Sequence, residues 1–112
     1  MIQAEFNEWI AKDGTSLELK VDGHANYDTH GRDIVCAGVS AITQALTGFI
    51  ENHDECEGEC QENACGGHMH IYALKSDAKV EAAFEMAFIG LLQIEMAHPE
   101  YLTVTKRMTK RK

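Results

Sequence analysis

Apolar and polar residues alternate at the start of the chain. Ile2, Ala4, Phe6 and Ile10 fall on one side, and Gln3, Glu5 and Asn7 on the other, with Glu8 and Trp9 breaking the pattern. Leu17, Leu19 and Val21 against Ser16, Glu18, Lys20 and Asp22 repeat it more cleanly. Successive side chains of a pleated strand point to opposite faces, so each run predicts a half-buried strand. Asp13-Gly14 between them signals a tight hairpin, because both residue types tolerate positive φ.

Residues 23–32 carry no period and read as a polar loop between Gly23 and Arg32. From Asp33 the period becomes helical. Val35, Val39, Ile42, Leu46 and Phe49 recur every three or four residues and form one stripe. Asp33 is a favoured N-cap residue, and the helix is expected to end near Ile50. Residues 53–60 read as a weak strand that returns through Gly66-Gly67 to a strand over His68–Leu74. Ser76 then reads as the N-cap of a second helix reaching about Ala97, with the stripe Val80, Phe84, Ala87, Leu91 and Ile94. His98-Pro99 stops that helix, and Tyr101–Thr105 is a candidate last short strand. The order ββ-α-ββ-α predicts an α+β fold of two layers, a mostly antiparallel sheet with two helices on one face.

The 112 residues suit one domain, expected over 1–105 with a basic tail over 106–112. All 18 acidic residues precede that tail, against Lys12, Lys20, Arg32, Lys75 and Lys79 as the body's cations. Such a body is not expected to bind nucleic acid directly, since phosphate contacts need cations. It would attract a basic partner. Lys106, Arg107, Lys110, Arg111 and Lys112 read as a solvated end, or as an arm for RNA or for the acidic body itself. No apolar run reaches the ~18 residues of a membrane span. The longest, Ala82–Ile94, is broken by Glu85 and Gln93. The first residues lack a signal pattern. Together these predict a cytoplasmic protein with no membrane partner. Phe88 and Leu92 widen the second helix's stripe and suggest a homodimer patch. The alternative is a monomer whose last strand folds back over them.

Four cysteines are present: Cys36, Cys56, Cys60 and Cys65. A cytosolic compartment keeps them as thiols. With Asp33 as N-cap, Cys36 sits in the first helical turn, where unpaired N–H groups and the helix dipole favour a thiolate. It shares the helix's polar edge with Ser40, Thr43 and Thr47. A nucleophilic cysteine works with a histidine that takes and returns its proton. His24 and His30 both lie upstream, and His24 is better placed because it follows a strand. The competing reading makes Cys36 a small hydrophobe and His24 a solvated loop residue. Asp33 could orient His24 or cap the Cys36 N–H, although its charge opposes thiolate formation.

Cys56, Cys60, Cys65 and His68, with His53 and His70 nearby, are zinc-ligand types. Their spacing matches no standard zinc pattern. An extended 53–60 segment separates Cys56 from Cys60 by about 13 Å at ~3.3 Å per residue, too far for one zinc. No metal and no cofactor are therefore expected. The alternative is a non-enzymatic metal-binding interaction module built on this cluster.

Gly23-His24-Ala25, Tyr27, Gly31 and Asp33-Ile34-Val35-Cys36-Ala37, followed by Val39-Ser40-Ala41, resemble the signature of the ribosomal-processing cysteine proteases, the Prp family. His98-Pro99-Glu100-Tyr101-Leu102 is similar to the family's Tyr-Pro-Glu-Tyr run, with His in the first place. The resemblance implies a cysteine endopeptidase that removes an N-terminal extension from a basic protein, ribosomal protein L27, or that processes capsid and scaffold proteins in phage relatives. It implies Cys36 as nucleophile and His24 as base, with Asp33 and Ser40 in support. It also implies a substrate loop with Gly23, Ala25, Tyr27 and Gly31, and a homodimer. The Cys- and His-rich 51–70 stretch departs from the family's plain hairpin.

Overall fold

The computed structural model describes residues 1–24, 33–53 and 67–110, and residues 57–63 as backbone. The elements are β1 (Ile2–Ala11), β2 (Gly14–Asp22), α1 (Ile34–Glu51), β3 (Glu57–Asn63), β4 (His68–Ser76), α2 (Ala78–Ala97) and β5 (Leu102–Lys110). One five-stranded sheet has the order β3-β4-β2-β1-β5. All pairings are antiparallel except β1 with β5. Both helices pack on one face, so the expected two-layer α+β architecture holds.

The alternation sets the layers. Ile2, Ala4 and Phe6 of β1, Leu17, Leu19 and Val21 of β2, and Met69, Ile71 and Ala73 of β4 are buried. They meet Val35, Val39, Leu46 and Ile50 of α1 and Val80, Phe84, Ala87 and Leu91 of α2. The helices also grip each other through glycines. A Cβ on Gly38 would meet the Ile94 side chain at 3.1 Å, and one on Gly90 would meet that of Ile42 at 2.9 Å.

Several details depart from the sequence reading. Ala11 pairs with Gly14, so the first turn is Lys12-Asp13 and Gly14 opens β2. The buried stripe of α1 takes Thr43 and Ile50 in place of Ile42 and Phe49. Thr43 satisfies its hydroxyl by donating to the Val39 carbonyl at 3.0 Å, so a polar residue enters the core at no hydrogen-bond loss. Ile42 instead fills the notch at Gly90. The N-cap of α2 is Asp77, not Ser76, because its carboxylate reaches the Val80 N–H at 2.9 Å. The third strand runs over Glu57–Asn63 rather than 53–60.

The basic end also differs from the expected tail. β5 continues to Lys110, and Ile10 pairs with Lys110. Residues 106–110 are therefore sheet, drawn in by backbone pairing with β1. Lys106 lies opposite Phe6 and holds its ammonium 4.9 Å from the Phe88 ring centre. Phe6 meets the same ring edge-on at 5.2 Å. Of the expected dimer patch, Phe88 and Leu92, the Phe88 ring thus already has Phe6 and Lys106 of its own chain against it, and both residues are half-buried. The outer side of β5 is not bare either: the Glu95 carboxylate accepts the Val104 N–H at 2.6 Å.

By length and composition α1 could cross a membrane, contrary to the expectation that no segment could. Ala, Gly, Ser and Thr separate its large apolar residues and leave it without a charge before Glu51. In this fold its stripe lies against the sheet.

Candidate active site

Cys36 and His24 flank the segment 25–32. Ala25, Tyr27 and Gly31 of the expected substrate loop, and His30, lie outside the described residues. His24 stands two residues beyond the end of β2 and is exposed. Cys36 is the third residue of α1, half-buried against the core.

The start of α1 is built by Asp33. Its backbone is extended, and its Oδ1 accepts the Cys36 N–H at 2.9 Å. Its carbonyl accepts the Ala37 N–H at 3.0 Å. Asp33 is itself buried. Of the two roles left open for it, capping is the one on view. The first turn carries no acidic residue, so within that turn the Asp33 cap is the negative charge that faces the helix dipole. Ser40 lies one turn on and is exposed; its carbonyl accepts from Thr43 at 3.2 Å.

The end of β2 is held by β4. Asp22 and His68 are register partners, and the Asp22 carboxylate meets His68 Nδ1. Four residues back, Glu18 contacts His70 Nε2 at 2.6 Å and accepts from the Asn7 amide at 3.0 Å. Gly23 N–H donates to the Gly67 carbonyl at 2.8 Å. His24 therefore leaves a strand end fixed on both the side-chain and backbone levels. Sequence reading passed over Gly67 as a turn marker; a glycine offers no side-chain signal of a tertiary contact.

His68 and His70, weighed above as metal ligands, both face carboxylates of β2. Cys60 lies in β3 opposite Ile71, and Cys56 and Cys65 are outside the described residues. Among the described residues no group of three or more His, Cys, Asp or Glu is placed to hold a metal. His53 turns elsewhere: it stacks on Phe49 and contacts Asp77 at 2.7 Å.

A thiol in the first turn of α1 and a histidine just past the end of β2 are the residue types that thiol-based peptide hydrolysis uses. A family model described as cysteine protease Prp matches residues 1–103. The ribosomal processing cysteine protease Prp of Bacillus subtilis is 45% identical over 110 residues, covering 94% of this chain and 96% of that one. The fold is similar to a Staphylococcus aureus ribosomal processing protease Prp in complex with a covalently linked product peptide. Its TM-score is 0.82 at 23% identity, over 96% of this chain and 100% of that one. A Streptococcus mutans structure, SMU.848, gives 0.73 at 29% identity over 99% and 96%. The chain belongs to the Prp family of ribosomal processing cysteine proteases, and it is an enzyme of peptide-bond hydrolysis.

Proposed function

We propose that Cys36 is the nucleophile and His24 the base of an endopeptidase that trims an N-terminal extension from a basic protein in the cytoplasm. The supporting observation is the placement of Cys36 at the capped head of α1. The thiolate attacks the scissile carbonyl carbon. His24, carrying the thiol's proton, gives it to the leaving amine as the peptide bond breaks. The resulting thioester is hydrolysed by water that His24 deprotonates, which returns the thiol. Asp33 supports this by holding the helix head, and Ser40 lines the same side of α1.

The precursor of ribosomal protein L27 is the preferred substrate, with a phage capsid or scaffold protein as the alternative. The net charge of −8 favours encounter with a cationic chain. Incubation with the organism's own L27 precursor, followed by mass spectrometry, should show loss of a short N-terminal peptide. An intact precursor beside a cleaved phage substrate would reassign the target.

The active unit in this proposal is a homodimer. Its face is moved from Phe88 to the apolar groove between α1 and α2, lined by Ala41, Ala45, Phe49, Ala83, Met86 and Gly90. Met86 is 71% exposed and Phe49 37%, a cost that an isologous contact removes from both copies. Sedimentation should give twice 12.4 kDa, and Met86→Glu should halve it.

A further inference from the structure

The β3–β4 hairpin reaches the histidine beyond β2. Gly67 has φ of +62°, a left-handed conformation that favours glycine on its own account. A second requirement is independent of the backbone. A Cβ on Gly67 would lie 2.7 Å from His24 Nε2, 2.8 Å from His24 Cε1 and 2.8 Å from the Gly23 carbonyl oxygen. Optimal carbon contacts lie near ~3.5–4.0 Å. The imidazole edge and the Gly23 carbonyl together therefore occupy the space that any side chain at residue 67 would fill.

The wall behind the ring is firm. Gly67 accepts the Gly23 N–H, and the neighbouring pair Asp22 and His68 joins the two strands through side chains. An exposed imidazole past a strand end otherwise has several staggered wells open to it. A backbone surface on one side removes some of them.

We propose that Gly67 is a positioning residue for His24: its missing side chain lets the imidazole lie against the hairpin turn, which fixes the reach of Nε2. This rests on the reading of His24 as the base. A misplacement of ~1 Å in a reacting geometry can cost ~10²-fold in rate. Gly67 touches no substrate in this account and acts only through the ring.

Two substitutions separate the ring contact from the turn. Asn tolerates the left-handed conformation that Ala resists, yet both carry a Cβ. With the L27 precursor, or a peptide spanning its cleavage site, Gly67→Asn and Gly67→Ala should each lower kcat by about 10- to 100-fold and leave KM within about twofold. Wild-type kcat in Gly67→Asn beside an inactive His24→Ala overturns the proposal and spares the base reading. Wild-type cleavage by His24→Ala overturns both. A thermal double-variant cycle tests the contact without activity. The drop in midpoint caused by Gly67→Ala should be smaller in the His24→Ala background, where the Gly23 carbonyl and the left-handed backbone still oppose the new methyl but the ring does not. Equal drops in both backgrounds overturn the contact.

Discussion

The two helices begin with the same device. Asp33 and Asp77 each precede their helix with an extended backbone, and each carboxylate accepts the N–H of the residue three positions on at 2.9 Å. In α2 that residue is Val80, wholly buried. In α1 it is Cys36, half-buried and open to chemistry. The surroundings differ in the same sense. The first turn of α2 carries Glu81, and Asp77 also holds His53 from the far end of α1. The first turn of α1 has no acidic side chain. Asp33 is the more buried of the two caps, yet it presents a half-buried thiol in a turn with no acidic side chain. The part-exposed Asp77 presents a core valine and also holds a histidine. The lesson is that a cap alone implies no site; the residue it presents and the charges left around it do.

The sharpest way to break this comparison is to swap the consequences of the two third positions. Cys36→Ala should lower cleavage by about 10³-fold or more, the scale of losing a covalent nucleophile, with little change in thermal midpoint. His24→Ala should cost about 10²–10⁴-fold, the range for a general base. Steady-state assays on the L27 precursor read both. Val80→Ala should do the reverse. Removing two buried methyl equivalents costs about 2 kcal/mol, visible in urea unfolding, while kcat at a permissive temperature is unchanged. Loss of activity in folded Val80→Ala would remove the division of labour drawn here.

The caps themselves give smaller effects. Asp33→Ala should destabilise by about 1 kcal/mol. Asp33→Asn keeps an acceptor for the Cys36 N–H and removes the charge. It should therefore unfold near the wild-type midpoint and react faster with iodoacetamide at neutral pH. Slower alkylation would show that the carboxylate assists the thiol. The weakest effect is the acid limb of α2. The Val80 N–H, then His53, hold the Asp77 carboxyl below its ordinary value of 3.8. A lowered pKa stabilises the fold above 3.8, and that part fades as pH falls through the folded-state value. Urea midpoints between about pH 5 and pH 3 should show a shallower decline in Asp77→Asn.

Much of this was legible along the chain, for physical reasons that differ by element. The β1–β2 hairpin and the start of α1 rest on local rules, namely alternation, turn chemistry and an N-cap, and Cys36 could be placed in its helical turn from Asp33 alone. The end of β5 could not be read. Residues 105–110 are exposed throughout, so no burial pattern records a strand whose pairing is entirely backbone. Ser76 and Asp77 are adjacent acceptors, and only the hydrogen bond to Val80 decides between them. The fate of Phe88 depended in part on Lys106, a charged residue whose ammonium sits over the ring. Gly67 was the least legible, because its part is played by an absent side chain.

The parallel pairing of β1 with β5 has a kinetic consequence. Hairpin contacts between β1 and β2 close a two-residue turn, whereas Ile2 meets Leu102 across about 100 residues of chain, a contact whose loop entropy is settled before it returns any stability. One edge of β1 can zip early, and the other must wait for both helices to settle. In that interval an apolar strand presents an unpaired backbone edge, the condition under which chains associate with one another. Folding of this small domain is thus governed by its most distant contact, and a refolding rate that falls on weakening β5 but not on weakening the β1–β2 turn is its expected signature.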